Sequence, residues 1–346
     1  MGLPAFRLRT GRYPFLAAAL VSATGCSGLP AQQIFPAMPS LRATAPSLIR
    51  HSASFNNLYV ANASTVTVYA PGSGSVLRKI VGVRPSALVF DSSGTLYVAN
   101  DAGKGSVPVY PAGATMPSRT ITQKVSVPRT LAVDSADNLY VANGYFSVGV
   151  YAPGSSTLLR ALKSFYPISV AFDTADDVYV GRSSGPYGGV GSRVVVFAHG
   201  STGIVAKIAV GVSDPQSLAL DAKDTLYVAD TNLNVVAVYS NGATKPQREI
   251  KNGISGPVAV RLDASGNLYV ANNVASTVTV YAPGASKPLR TISSGITAPT
   301  ALLFDGSGAL YVANRKMVAV YAPGAASPKL KIRTGIDLPV ALALGP

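Results

Sequence analysis

The chain has 346 residues, with 29 Lys and Arg against 15 Asp and Glu, a net charge of +14, one cysteine, two histidines and no tryptophan. A single cysteine excludes a disulfide framework, two histidines leave little material for a histidine-based metal or nucleophilic site, and a hydrophobic content of 48% excludes a disordered chain. The 33 glycines and 25 prolines fall on turns between apolar runs, where a folded β protein uses them.

Residues 1–12 carry Arg7, Arg9 and Arg12 without an acid, and the apolar run from Phe15 to Val21 is followed by the small residues SATGC. This is the layout of a secretory signal peptide, with an apolar segment too short to span a membrane. Cys26 stands where a bacterial lipoprotein signal places its lipidated cysteine, and the stretch resembles a lipobox with Ala23 where that motif usually has Leu. An ordinary signal with a later cut, for instance after Ala31, would discard the cysteine instead. The domain expectation is a lipoprotein-like signal peptide at 1–26, a Pro-, Ser- and Ala-rich tether at 27–54 and a folded domain at 55–346. The expected location is the bacterial cell envelope or the exterior, with a membrane attachment through the N-terminal lipid if Cys26 is modified.

The folded part repeats itself. LYVAN stands at 58–62, 96–100, 139–143, 268–272 and 310–314, with VYVGR at 178–182 and LYVAD at 226–230. A spacing near forty residues, with turn signals inside each unit, suits one four-stranded propeller blade per repeat. Each unit runs Pro-x-Ala-Leu, an Asp-x-x-Gly-like turn, LYVAN, a run such as VTVYAPG, and an outer segment such as PLRTI. The near-continuous apolar runs call for sheets covered on both faces, which stacked blades supply. The first LYVAN lacks its Pro-x-Ala-Leu strand, and LPVALALGP at the end of the sequence is that strand without a LYVAN after it. The fold class is therefore all-β: a seven-bladed β-propeller with four antiparallel strands per blade. Residues 338–344 are expected to pair with 58–62 and close the ring.

The charges and acids follow the repeat. Arg78, Arg119, Arg160, Arg248 and Arg290 share one slot on the outer strands, with Lys207, Lys329 and Lys331 near it in the two remaining blades. Spread around a rim rather than gathered in a stripe, they read as solubility and edge-protection residues, not as a nucleic-acid surface. Asp91, Asp134, Asp173, Asp221, Asp263 and Asp305 each open a turn and read as caps of their own backbone rather than metal ligands. The histidines are His51, in the tether, and His199, in a turn; no zinc, nucleophile-elbow or phosphate-loop motif occurs, and no cofactor is implied.

DAKDTLYVADTNLNVVAVY, from Asp221 to Tyr239, resembles the NHL repeat in its turn acid, its Leu-Tyr-Val-Ala-Asp strand, the Asn that follows and the second aliphatic strand. The LYVAN copies are also similar to YVTN-type surface propellers. The resemblance covers about 55–346 and implies the propeller fold. Similar rings include extracellular sensors, protein-binding modules, and lyases or lactonases that hold metal with acids, Asn or His at the axial channel; no such set aligns here.

In antiparallel blades the Asp-x-x-Gly and APG turns share one face, while the loops before Pro-x-Ala-Leu and after LYVAN share the other. The first face repeats; the second varies and is free to serve recognition. It carries Arg84, Arg129, Tyr166, Asp214 and Gln216 near the inner strands, and Asn100, Arg182, Asp230 and Arg315 after the second strands. Blade four departs furthest: Arg182 replaces the Asn or Asp, and SSGPYGGVGSR at 183–193, with Tyr187 and Arg193, is the longest of these loops. The leading expectation is a monomeric, non-enzymatic envelope propeller that binds a protein or glycan on this variable face. The alternative is a metal-assisted lyase or lactonase-like hydrolase using acids at the channel mouth, such as Asp214 and Asp230.

Overall fold

A computed structural model describes residues 57–145, 147–185 and 191–346. Cys26, His51, Tyr187 and the expected signal peptide and tether lie outside the described residues.

The described residues form 28 strands in seven sheets of four, and no helix forms among them. Six sheets are built from consecutive strands. In the seventh, Ala341–Gly345 pairs antiparallel with Asn57–Ala61, Leu344 opposite Leu58, followed outward by Val66–Tyr69 and Val76–Ile80. The closing strand is thus as expected, with its pairing at 341–345 and 57–61 rather than 338–344 and 58–62. The inner strands of blades two to seven are Pro85–Phe90, Pro128–Val133, Pro167–Phe172, Pro215–Leu220, Pro257–Leu262 and Ala301–Phe304.

The second and third strands of each blade are the core. Leu226–Asp230 and Val235–Tyr239 are buried along their whole length, since both faces pack on neighbouring sheets. Each apolar cluster draws on two adjacent blades; Leu58, Val60 and Tyr69 of blade one pack with Tyr311, Val318 and Val320 of blade seven, so the core is continuous across the closure. β-Branched and aromatic residues suit this two-sided burial. In five blades the tyrosine ending the third strand adds a tie to the preceding blade: Tyr69 Oη donates to Thr334 O at 2.8 Å, Tyr151 to Gln123 O at 2.6 Å, and Tyr281 to Asn252 O at 2.6 Å, with Tyr239 and Tyr321 bonded alike.

The Asp-x-x-Gly turns are capped as their sequence implies. Asp91 Oδ1 accepts the Ser93 and Thr95 N–H groups at 3.0 and 2.9 Å. Gly94, Gly266 and Gly308 hold the left-handed position of this turn, where a β-carbon is strained. In blades three to five Asp137, Asp176 and Asp224 take that position, and their carboxylates then accept from the preceding blade's turn, as when Asp224 takes Thr174 N and Oγ1, each at 2.9 Å.

Candidate functional site

The loop face is organised by one recurring clamp. The residue closing each LYVAN turns back and accepts a backbone N–H from the loop leading into the inner strand of its own blade. Asn62 takes Asp337 N at 3.0 Å, Asn100 takes Arg84 N at 2.8 Å, Asn143 takes Ser126 N at 2.9 Å, Asn272 takes Ser255 N at 3.0 Å and Asn314 takes Thr297 N at 3.0 Å. Asp230 does the same through Oδ2, which accepts Ser213 N and Asp214 N at 2.6 and 2.8 Å, while Oδ1 caps the loop that follows its own strand by accepting Leu233 N at 2.9 Å. It is 0% exposed. Asp214 and Asp230 are therefore neighbours, but Asp230 is spent on the backbone, and Asp214 Oδ2 accepts Gln216 Nε2 at 2.8 Å.

The other candidate residues separate into spent and free. Arg84 pairs through Nε with Asp101 and donates Nη2 to its carbonyl at 3.0 Å. Arg129 and Arg315 are exposed, and their side chains make no hydrogen bond or ion pair with the described residues. Tyr166 sits at φ 48°, donates its N–H to Tyr145 O at 3.0 Å and meets the Tyr145 ring edge to face at 6.1 Å.

Blade four breaks the clamp. Arg182 is 8% exposed in a slot shaped for an acceptor, and a guanidinium only donates. Its Nε and Nη2 both reach Gly191 O, at 3.3 and 3.2 Å. Burial, and then the charge of Arg193, push its pKa down from the usual arginine range. In the same blade Ser164 Oγ, fully buried, has no partner among the described residues.

The inner strands enclose an axial cavity of about 220 Å³ lined by residues such as Ser86, Ser169, Gln216 and Arg261. Six blades place Val, Ala or Leu where blade six has Arg261. Its guanidinium faces the channel and donates Nη1 to Val260 O at 2.9 Å; the residue is exposed to the channel's solvent, and desolvation by the surrounding walls lowers its pKa. This residue stands outside the candidates expected from the sequence, although comparison of the inner strands unit against unit marks it as the one charged residue in an apolar slot.

On the opposite face the rim arginines differ from the solvated residues expected. Each is half-buried and folds over the LYVAN tyrosine of its own blade. Arg160 Nη2 donates to Tyr140 Oη at 3.0 Å, and Arg290 Nη2 to Tyr269 Oη at 2.8 Å; Arg78 reaches Tyr59, Arg119 reaches Tyr97 and Arg248 reaches Tyr227. The tyrosine hydroxyl donates in turn to the turn aspartate, Tyr97 to Asp91 at 3.1 Å and Tyr140 to Asp134 at 3.2 Å. In blade one the Pro346 carbonyl oxygen replaces the aspartate, accepting from Tyr59 Oη at 2.7 Å and Arg78 Nη2 at 3.1 Å. Strand register puts Ala206 of blade four opposite Val196 and Leu330 of blade seven opposite Val320, the places the arginines hold elsewhere; the lysines expected near that slot are not in it.

No family model matches the chain, and no curated protein matches its sequence. Among solved structures it is similar to a functionally unknown protein from Desulfotomaculum acetoxidans DSM 771, at 13% identity and a TM-score of 0.68, covering 84% of this chain and 99% of that one. It is also similar to the WD40 β-propeller domain of Doa1, at 12% identity and a TM-score of 0.64, covering 77% and 89%. At such identities the likeness is one of architecture: the chain is a seven-bladed β-propeller.

Proposed function

We propose that the protein is a non-enzymatic binding propeller of the bacterial envelope or exterior, which engages the anionic group of a protein or glycan on its loop face at blade four. The resemblance of Asp221 to Tyr239 to the NHL repeat supports a recognition role, and the signal-like N-terminus with Cys26 supports export.

The observation that carries the reading is Arg182. A buried guanidinium in an acceptor slot, beside a second arginine, costs stability and contributes no clamp to the scaffold. Local rules are broken in this way where a site is built. A carboxylate, sulfate or phosphate would match the donors of Arg182 and Arg193 in number and charge. The acids named for the alternative, metal-assisted reading are committed locally, Asp230 to backbone N–H groups and Asp214 to Gln216.

Arg182→Asn supplies the test, because it restores the acceptor of the other blades and so preserves the ring. Capture of a partner from the envelope fraction should fall at least about tenfold with an unchanged or higher melting temperature. Capture equal to that of the parent chain would overturn the reading.

A further inference from the structure

Blade four also departs from its sisters on the turn face, where it loses a cation and gains an anion at one spot. The arginine slot holds Ala206. The position four residues after the turn aspartate, which is Thr95, Asn138, Thr225, Asn267 or Ala309 in other blades, is Asp177. Asn138 and Asn267 donate Nδ2 to their turn aspartates at 2.9 and 2.8 Å; Asp177 keeps the backbone bond, its N–H donating to Asp173 Oδ1 at 2.9 Å, but its carboxylate has no proton to donate and repels Asp173. The result is a cavity of about 240 Å³ between blades four and five, bounded by Asp173, Asp177, Tyr179, Ala206, Asp224 and Gly242.

The sister blades show what such walls hold. Arg248 Nη1 donates to Gly284 O at 2.9 Å, in the turn of the next blade, and Gly242 is the residue of that turn facing blade four. Arg290 lies 5.7 Å from the Tyr269 ring centroid, and Tyr179 is the matching ring, 7% exposed. The tyrosine hydroxyl thus meets a guanidinium in five blades, with a neighbouring turn carbonyl added at Arg248, and in the fourth the matching tyrosine, turn aspartate and Gly242 stand around an open space. Blade seven, which also lacks the arginine, fills its slot with Leu330, packed against the core. Small volume alone therefore does not explain blade four: alanine leaves the space open, and Asp177 adds charge to it.

We propose that this cavity is a socket for the guanidinium head group of a ligand, which takes the place of the missing blade-four arginine. The planar cation would stack on Tyr179 and donate to Asp173, Asp177 and Gly242 O. Asp224 is occupied by Thr174 and by Asn241 Nδ2 at 3.3 Å, and Asp177 Oδ1 by His199 N at 2.7 Å; Asp177 Oδ2 has no donor among the described residues. Burial together with repulsion from Asp177 and Asp224 raises the Asp173 pKa, which a bound cation would relieve. No group of three or more His, Cys, Asp or Glu among the described residues has the geometry of a metal site. The volume is below the roughly 300–1,000 Å³ of sites that enclose a whole small molecule, so the socket takes a head group and leaves the rest outside. The proposal concerns the face opposite Arg182 and stands independently of the loop-face reading.

The test is a titration of the full chain with methylguanidinium chloride, followed by melting temperature and calorimetry, against tetramethylammonium chloride at equal ionic strength. Methylguanidinium should give a saturable rise and tetramethylammonium none. Ala206→Leu, which copies blade seven, should weaken methylguanidinium binding at least about tenfold; Ala206→Arg should abolish it and raise the basal melting temperature. Agmatine and the peptide Gly-Arg-Gly form two further arms: tighter binding of agmatine assigns the socket to a free small molecule, and tighter binding of the peptide assigns it to a protein side chain. Absence of saturable binding by all three guanidinium probes, or equal binding by the parent chain and Ala206→Leu, would overturn the proposal.

Discussion

The guanidinium of Arg290 lies 5.7 Å from the centroid of the Tyr269 ring and donates to that tyrosine's hydroxyl at 2.8 Å. The pair spans from the outer strand to the second strand of one blade, so a residue at the rim is tied to the core. Arg290→Ala should cost about 1–3 kcal/mol in denaturant unfolding. In a double-mutant cycle with Tyr269→Phe the two losses should be non-additive by about 0.5 kcal/mol or more. Additivity within experimental error would show that the arginine serves only as a solvated edge charge.

Asp173 gives the stability a signed pH dependence. Burial, with repulsion from Asp177 and Asp224, puts its folded-state pKa above its unfolded one, and Tyr179 beside it is pushed up to about 12. Between the two Asp173 values the folded state holds the extra proton, so stability falls as pH rises through that window. Asp173→Asn keeps an oxygen for the turn N–H groups and should therefore melt higher than the parent at neutral pH. The difference should vanish near about pH 3, where the carboxyl is protonated in both states. Asp305 is the internal contrast. Burial alone would raise it, but donors from Ser307, Ala309 and Tyr311 outweigh burial and hold its pKa down. Asp305→Asn should accordingly destabilise at neutral pH. Equal effects of the two substitutions would refute the assignment.

Arg182→Asn has a stability prediction separate from its effect on capture. The amide oxygen can accept from the lead-in loop, as Asn143 and Asn272 do, and the change should raise unfolding stability by about 1 kcal/mol. A loss of similar size would mean that the bonds to Gly191 O hold blade four together.

Removal of 341–346 takes away the inner strand of blade one together with the Pro346 oxygen that joins Tyr59 and Arg78. The truncated chain should aggregate or melt about 10 °C or more below the parent, because Asn57–Ala61 becomes an open apolar edge. A melting temperature unchanged by the truncation would be incompatible with a closed ring.

The ring itself was legible because the seven LYVAN-like strands and the displaced LPVALALGP strand are local patterns whose meaning is fixed by β periodicity. The turn aspartates were legible for the same reason, since their Oδ1 bonds lie within four residues. What the rim arginines do was not, because a guanidinium crossing two strands to a tyrosine about twenty residues earlier leaves no mark in local spacing. Pairing with the third strand puts Ala206, and not Lys207, in the slot. Asp230 looked available because an exposed and a buried Asp read alike; only its three backbone donors separate them. Asp177 was not singled out in the sequence, and the cavity beside it is what gives its charge a context.

The pairing of Leu58 with Leu344 also orders events in time. Six sheets need only neighbouring strands, whereas this one must bring together segments separated by nearly the whole described chain. Loop-closure entropy delays such a contact until the intervening blades have condensed and shortened the effective distance. Blade one, although most of its strands are made first during synthesis, is therefore the last sheet to be completed. Throughout translation the strand Asn57–Ala61 waits without its inner partner, so the interval of greatest vulnerability to misassociation is set by the time needed to make the other six blades.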